Sequence, residues 1–171
     1  MVSPDLDRLY AAELPAVYGF LVRWGARGPE VEDLAHDVFV TAMRRWQTYD
    51  ASRPVRPWLL GIAHRLLSDA RRRSSRTRET AGELPEVADE RDAAGDRLRE
   101  REAQAIVNEA LQSLDDERRT VFIMCDVEGL PPAQVAESMG AKLATTYSRL
   151  RVAREEFAAA VRRIQLKRGG S

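Results

Sequence analysis

Cysteine, histidine and aromatic residues are scarce in this 171-residue chain: one Cys, two His and 6% aromatics. The lone Cys125 has no partner for an internal disulfide and no second thiol at metal-ligand spacing. It points to a reducing compartment. His36 and His64 stand apart, with no further ligand spaced to help either bind a metal. No run of about 18 apolar residues occurs, so no membrane-spanning helix is expected. No basic segment followed by an apolar run opens the chain, so no secretory signal is expected. Glycine forms no phosphate-cradling loop, and no nucleophile has a placed base. Asp33, Asp37 and Asp69 are a nuclease site by residue type only; nothing else specifies one. These absences predict a cytoplasmic protein that is not an enzyme and carries no cofactor.

Strand-like alternation is also missing, and the apolar residues recur at helical spacing instead. An all-α fold is expected: two small helical domains joined by a flexible linker, the second containing a helix-turn-helix. Leu6, Leu9, Tyr10, Leu14, Val17, Leu21 and Trp24 mark a first helix, which Pro15 should kink or divide. Pro29 opens a second helix with Glu30, Glu32 and Asp33 in its first turn, where acidic groups suit the helix dipole. Its apolar face runs Val31, Leu34, Ala35, Val38, Phe39, Ala42, Met43 and Trp46. Residues 48–56 break the pattern, and Pro57 begins a third helix that reaches about residue 73 and ends on Arg71, Arg72 and Arg73. Residues 74–101 have almost no large apolar residues and read as a flexible acidic linker, helical towards its end.

The second domain, 102–171, is helical again. Asp115 can cap a helix carrying Val121, Phe122, Met124 and Cys125. Pro131-Pro132 starts a short helix, Gly140 makes a turn, and a basic helix runs from about 143 to 165. Its inner stripe is Leu143, Thr146, Leu150, Ala153, Phe157, Val161 and Ile164. Short helix, glycine turn and basic helix form the helix-turn-helix pattern.

A formal net charge of zero conceals strong alternation. Residues 1–43 carry −4, 44–78 carry +8, 79–101 carry −4, 102–141 carry −6 and 142–171 carry +6. Two basic blocks suit two polyanion-binding surfaces, and equally suit solvated helix faces. In the last helix Thr145, Tyr147, Ser148, Arg149, Arg151 and Arg154 point outward. Arginine and hydroxyl side chains there can read base edges in a major groove, while flanking cations such as Lys142 hold phosphates. In the first domain Trp46, Tyr49 and Trp58 surround a loop bearing Arg53 and Arg56, with Arg44 and Arg45 just before it. Aromatic faces give unstacked bases a platform and arginines hold the backbone, which favours a single strand or a melting duplex. The phase of Trp46 and Trp58 directs both inward, which leaves Tyr49 as the better stacking candidate. His36 and Asp37 lie on an outer face that a partner protein could use.

Three stretches carry a family resemblance: VEDLAHDVFVTAMRRW, PWLLGIAHRLLSDARRR and LDDERRTVFIMCDVEGLPPAQVAESMGAKLATTYSRLRVAREEF. Together they resemble the bacterial extracytoplasmic-function (ECF) sigma factors, the minimal two-domain group, over about residues 5–73 and 103–165. The resemblance implies that residues 1–73 bind the clamp helices of the RNA polymerase largest subunit through Asp33, Leu34, His36, Asp37 and Phe39. It implies recognition and melting of the −10 promoter element by the loop 48–56 and the next helix, Tyr49, Arg53, Arg56 and Trp58 among them. Arg65, Asp69 and Arg71 to Arg73 would face the DNA there. The second domain would bind the −35 duplex through Lys142, Thr145, Tyr147, Ser148, Arg149, Arg151, Val152 and Arg154, and meet the polymerase flap on its other side. An anti-sigma factor is a common partner in the family. The chain departs from the pattern at Met43 (commonly Trp), Val55 (Phe), Arg65 (Asn), Lys142 (Ser), and at Tyr147 and Val152 (both usually basic). The last two lower the positive charge where bases are read, so an unusual −35 preference is expected. Two other readings compete: a stand-alone helix-turn-helix regulator with an N-terminal sensor or dimerisation domain, and a helical adaptor binding only proteins.

Overall fold

The computed structural model describes residues 6–78 and 95–169. Among them, seven α-helices occur and no strand. Helix α1 is Leu6–Trp24, α2 is Pro29–Arg44 and α3 is Val55–Arg78. Helix α4 is Gly95–Gln112, α5 is Asp116–Phe122, α6 is Pro132–Met139 and α7 is Leu143–Gly169. A π-helical turn, Ile123–Val127, extends α5. The expected linker therefore divides: its first residues continue α3, its last belong to α4, and 79–94 lie outside the described residues.

Pro15 does not divide α1, which is assigned as one helix through it. Loss of one backbone bond and the ring's clash cost roughly 3 kcal/mol in a helix interior. Burial of Val17, Phe20 and Leu21 just beyond it offsets that cost, since each such side chain contributes about 1.5–3 kcal/mol. Helix α2 starts as its sequence suggests, with Pro29 in the first turn and Glu30 and Glu32 beside it. Asp115 caps α5, its carboxylate accepting from the Arg118 backbone N–H at 2.9 Å. Gly140 closes α6 in the left-handed region at φ 64°, a conformation with little penalty for glycine.

The buried apolar set is continuous from α1–α3 into α4–α7. Val17, Phe20, Val38, Leu59 and Leu60 belong to the same cluster as Leu111, Val121, Ile123, Val135 and Ala153. Helix α3 packs on α2 and on α6, while α1 touches α4 and the π turn. Close approach marks two of these seams. A Cβ on Gly61 would meet the Ser138 carbonyl oxygen at 2.6 Å. One on Gly25, whose φ is 126°, would meet Gln112 Oε1 at 2.7 Å. That amide in turn donates to the Trp24 carbonyl at 3.2 Å.

Arg119 joins the two halves from inside. Its side chain is only 1% exposed. Nε donates to Leu111 O at 2.8 Å, Nη1 to Trp24 O at 2.8 Å, and Nη2 to Leu114 O at 2.8 Å and Gln112 O at 3.2 Å. Leu111 and Gln112 end α4, where carbonyls have no intrahelical partner. One planar fork thus caps α4, fixes the α4–α5 turn and holds the end of α1. The cation also lies 5.1 Å from the Trp24 ring centroid. Burial pulls its pKa down to about 10, so it stays charged at neutral pH.

A second polar link sits beside it. Trp24 Nε1 donates to Thr120 Oγ1 at 2.9 Å, and Thr120 Oγ1 donates to Asp116 O at 2.8 Å. His64 Nδ1 lies 2.8 Å from the same hydroxyl. A hydroxyl has one proton and two lone pairs. With its proton on Asp116 O, it accepts from both Trp24 and a protonated His64 Nδ1, which saturates it and assigns the imidazole tautomer. Burial lowers the His64 pKa, against the opposing pull of Glu117 and Asp116; Arg65 and Arg149 lower it further.

Two outcomes follow from these links. Arg119→Met strips the buried carbonyls of their donors, at about 1–3 kcal/mol for each orphaned acceptor. Urea unfolding should report a loss of at least ~3 kcal/mol, with Arg119→Lys recovering less than half because a single ammonium cannot reproduce the fork. His64 carries a depressed folded-state pKa, so the unfolded chain binds its proton first. Its stabilising contribution should be intact above pH 6.5, the ordinary value, and decline as pH falls through the folded-state pKa. Stability measured against pH should show this decline in the native protein and lack it in His64→Gln.

Candidate nucleic-acid interface

The loop after α2 is built around three rings. A 3-10 turn, Trp46–Thr48, folds the chain back over the start of α3. Tyr49 lies 4.6 Å from Trp58 and 5.0 Å from Trp46, and the two indoles are 6.0 Å apart, centroid to centroid. All three are half-buried. The sequence directed Trp46 and Trp58 inward and left Tyr49 as the open ring. The structure instead makes Tyr49 part of the same cluster, because the 3-10 turn returns it to the surface of α3. Its hydroxyl donates to the Arg53 carbonyl. Burial and the neighbouring Asp50 raise the phenol pKa. Asp50 accepts from Ser52 N at 3.0 Å and Ser52 Oγ at 2.6 Å, which together with Arg53 lower its pKa and shape the turn.

The arginines expected on this surface divide by direction. Arg53 pairs with Asp50 at 3.1 Å and with Glu137 of α6. Arg56 turns the other way: its Nε donates to Glu13 of α1 at 2.8 Å, a bond that raises its pKa. It ties the start of α3 to α1, and is not grouped with Arg53. Arg65 donates to the Ser138 carbonyl at 2.9 Å. Asp69 pairs with Arg72, and its carbonyl accepts from Arg73 Nε at 3.3 Å. Arg71 pairs with Asp116 and lies 5.6 Å from the Trp24 ring centroid. Trp58 lines one cleft with Tyr49, Arg53, Arg65 and Glu137. Tyr49, Arg53, Trp58 and Arg65 thus come together, while Asp69, Arg71, Arg72 and Arg73 lie further along α3.

Helix α7 presents Thr145, Tyr147 and Ser148 to solvent, with Lys142 exposed just before it and Thr146 and Leu150 buried behind. Leu143, expected on the inner stripe, is 45% exposed. It is the first helical residue after the Ala141-Lys142 turn, too near the end of α7 for the core to reach it. Arg149 pairs with Glu117 and Arg151 with Glu155 at 2.9 Å. Arg154 makes a bidentate pair with Asp126, both bonds 2.7 Å, which raises its pKa. Val152 is half-buried. The Arg151–Glu155 pair is exposed on both sides and so contributes only about 0–1 kcal/mol.

On α2, Asp33, His36 and Asp37 are exposed as their phase requires. Leu34 and Phe39 belong to the core beneath, 8% and 7% exposed. The Phe39 ring meets Tyr10 at 4.6 Å between centroids. Beside this face the structure exposes Tyr10 and Met43, at 42% and 52%. Periodicity had counted both as apolar-stripe residues, and only packing shows that they sit at its rim. The Trp24–Thr120–His64 link had no signal in the sequence, since Thr120 lies 56 residues from His64 and 96 from Trp24. Cys125 is half-buried, and burial with Asp126 beside it pushes its thiol up to about 11, so it stays protonated.

Two family models match the chain: Sigma-70 region 2 over residues 9–77 and Sigma-70, region 4 over residues 97–157. The chain is 31% identical over 156 residues to the ECF RNA polymerase sigma factor SigL of Mycobacterium tuberculosis, covering 85% of this chain and 82% of SigL. It is 30% identical over 158 residues to the ECF RNA polymerase sigma factor SigE of Mycolicibacterium smegmatis. That match takes in 90% of this chain, which spans only 60% of the length of SigE. Its fold is similar to that of the sigma factor RpoE from Bartonella quintana, solved in complex with the anti-sigma factor NepR. The TM-score is 0.74 at 21% identity, covering 94% of this chain and 98% of RpoE. With both sigma regions present in order and the SigL likeness running through most of each chain, the chain belongs to the ECF RNA polymerase sigma factors.

Proposed function

We propose that the chain is a promoter-specificity subunit that brings core RNA polymerase to particular promoters and opens the duplex there. It is not an enzyme in this reading, and it works in the cytoplasm. Residues 1–73 form the domain that binds the polymerase clamp and reads the −10 element. Residues 74–101 connect it to residues 102–171, which read the −35 element and meet the flap. The observation that carries the reading is a pairing in one chain: an arginine-and-aromatic loop in a region-2 match, followed by an exposed cationic helix in a region-4 match.

The exposed Asp33, His36 and Asp37 carry the polar contacts to polymerase, and Leu34 and Phe39 support them from below. Arg53, Trp58 and Tyr49 hold an unpaired −10 base, with Arg65, Asp69, Arg71, Arg72 and Arg73 along the same helix. Stacking on such rings is worth about 1–3 kcal/mol per base. Arg56 acts by anchoring the loop to Glu13. Lys142, Thr145, Tyr147, Ser148, Arg149, Arg151 and Arg154 carry the −35 contacts. An anti-sigma factor, of the kind bound to RpoE, would compete with polymerase for these faces.

Mixing the purified chain with core polymerase and a library of duplex promoters should yield transcripts from a defined promoter subset. The absence of polymerase-dependent initiation on every promoter would overturn the reading. The double variant Tyr49→Ala, Arg53→Ala should lose open-complex formation, read by permanganate footprinting, by roughly tenfold or more given the stacking energy above. Its −35 duplex binding should stay near native, and equal loss of both would contradict the division of labour.

A further inference from the structure

The face that α7 offers to a duplex is apolar where bases are read. In a helix-turn-helix the N-terminal residues of the second helix meet base edges, while the first helix crosses the backbone. Here the second helix begins at Leu143. Leu143 and Tyr147 are 45% and 55% exposed. They are one turn apart, as i and i+4, and so are neighbours on the helix surface. Ala144 and Ser148 are exposed beside them, while Thr146, Leu150 and Ala153 hold the other side of α7 on the core. Neither Leu143 nor Tyr147 packs on a core cluster, so packing gives no account of them. Cations are drawn off this face. Over residues 143–150 the one cation is Arg149. It pairs with Glu117 of α5 and is only 26% exposed. Arg151 and Arg154 lie beyond the second turn, paired with Glu155 and Asp126.

We propose that α7 reads thymine in the −35 duplex by its C5-methyl group, with Leu143 and Tyr147 as the two readers. This rests on the sigma-factor reading above and names what the −35 face recognises. The thymine methyl is the apolar group that base pairs present in the major groove. Leucine neither donates nor accepts a hydrogen bond. A guanine O6 and N7, or a cytosine amino group, set against it would lose water and gain no partner. A thymine methyl set against it leaves water favourably. The Tyr147 ring offers the same kind of surface one turn on. The helix rise separates the two side chains by about 6 Å along α7. Bases of one strand stack about 3.4 Å apart, so the two methyl groups lie about two base steps apart.

Uracil differs from thymine only by that methyl, so it tests the proposal with base pairing unchanged. Core polymerase loaded with the chain first selects promoters from a duplex library randomised over the −35 region. Each thymine of the selected sequence is then replaced by deoxyuridine in turn, and holoenzyme binding is measured. Two of these replacements, about two steps apart, should each weaken binding about fourfold, the worth of one methyl group kept in water. Leu143→Ala should abolish one penalty and Tyr147→Ala the other. Each penalty is a ratio of thymine to uracil for one protein, so an overall loss of affinity in a variant leaves it readable. Both side chains are exposed, and far-UV circular dichroism checks that the variants are folded. Tyr147→Arg should move selection at its position from thymine to guanine, whose O6 and N7 take a guanidinium bidentately. A selected −35 region without thymine, or one in which every thymine tolerates uracil, overturns the proposal. Penalties that persist unchanged in both alanine variants do the same. A chain that initiates at its selected promoters without methyl dependence loses this proposal and keeps the sigma-factor reading, whereas one that initiates nowhere loses both.

Discussion

A single buried guanidinium holds this molecule in its observed shape. Arg119 donates to carbonyls at the end of α4, in the α4–α5 turn and at the end of α1. A charge so deeply buried is costly unless its donors are satisfied. Four backbone acceptors and the face of Trp24 meet that condition. The neighbouring Thr120 hydroxyl is saturated by Trp24, Asp116 and His64. The two halves are consequently joined by directional bonds as well as by a continuous apolar core. Directional bonds set one relative orientation, whereas apolar contact alone would tolerate several.

That orientation decides what the charged surfaces face. The basic stretch after α2 reads in isolation as a polyanion-binding surface. In the folded chain several of its cations meet carboxylates and carbonyls from α5 and α6. The cations of α7 likewise meet Glu117, Asp126 and Glu155. Charge is balanced locally, which accounts physically for a zero net charge spread over strongly alternating blocks. Such pairs contribute little when exposed.

Much of the helical architecture was legible residue by residue. The apolar phase of α2 predicted its buried Val31, Leu34, Ala35, Val38, Phe39 and Ala42. Asp115 and Gly140 marked a cap and a turn that the structure contains. Pro15 misled because a local penalty was outweighed by nonlocal burial. Leu143 misled because a helical stripe does not reveal where the partner surface ends. In the candidate site, the exposure of Lys142, Tyr147 and Ser148 followed from local pattern, whereas the packing of Tyr49 on Trp58 did not, because the 3-10 turn returns the ring to α3. The turning of Arg56 to Glu13 did not, since that carboxylate lies 43 residues away.

The sequence by itself determined the helices, the order of two sigma regions and the kinds of side chain on the loop and on α7. These follow from periodicity, capping and turn chemistry, all set by residues within a few positions of one another. The tertiary structure alone decided which cations are free to meet a ligand and which are held by the chain. It also decided that His64, Thr120 and Trp24 meet, and that Gly61 admits α6. Pairing between residues distant in the chain depends on how packed helices direct their side chains in space, and no local pattern encodes that direction.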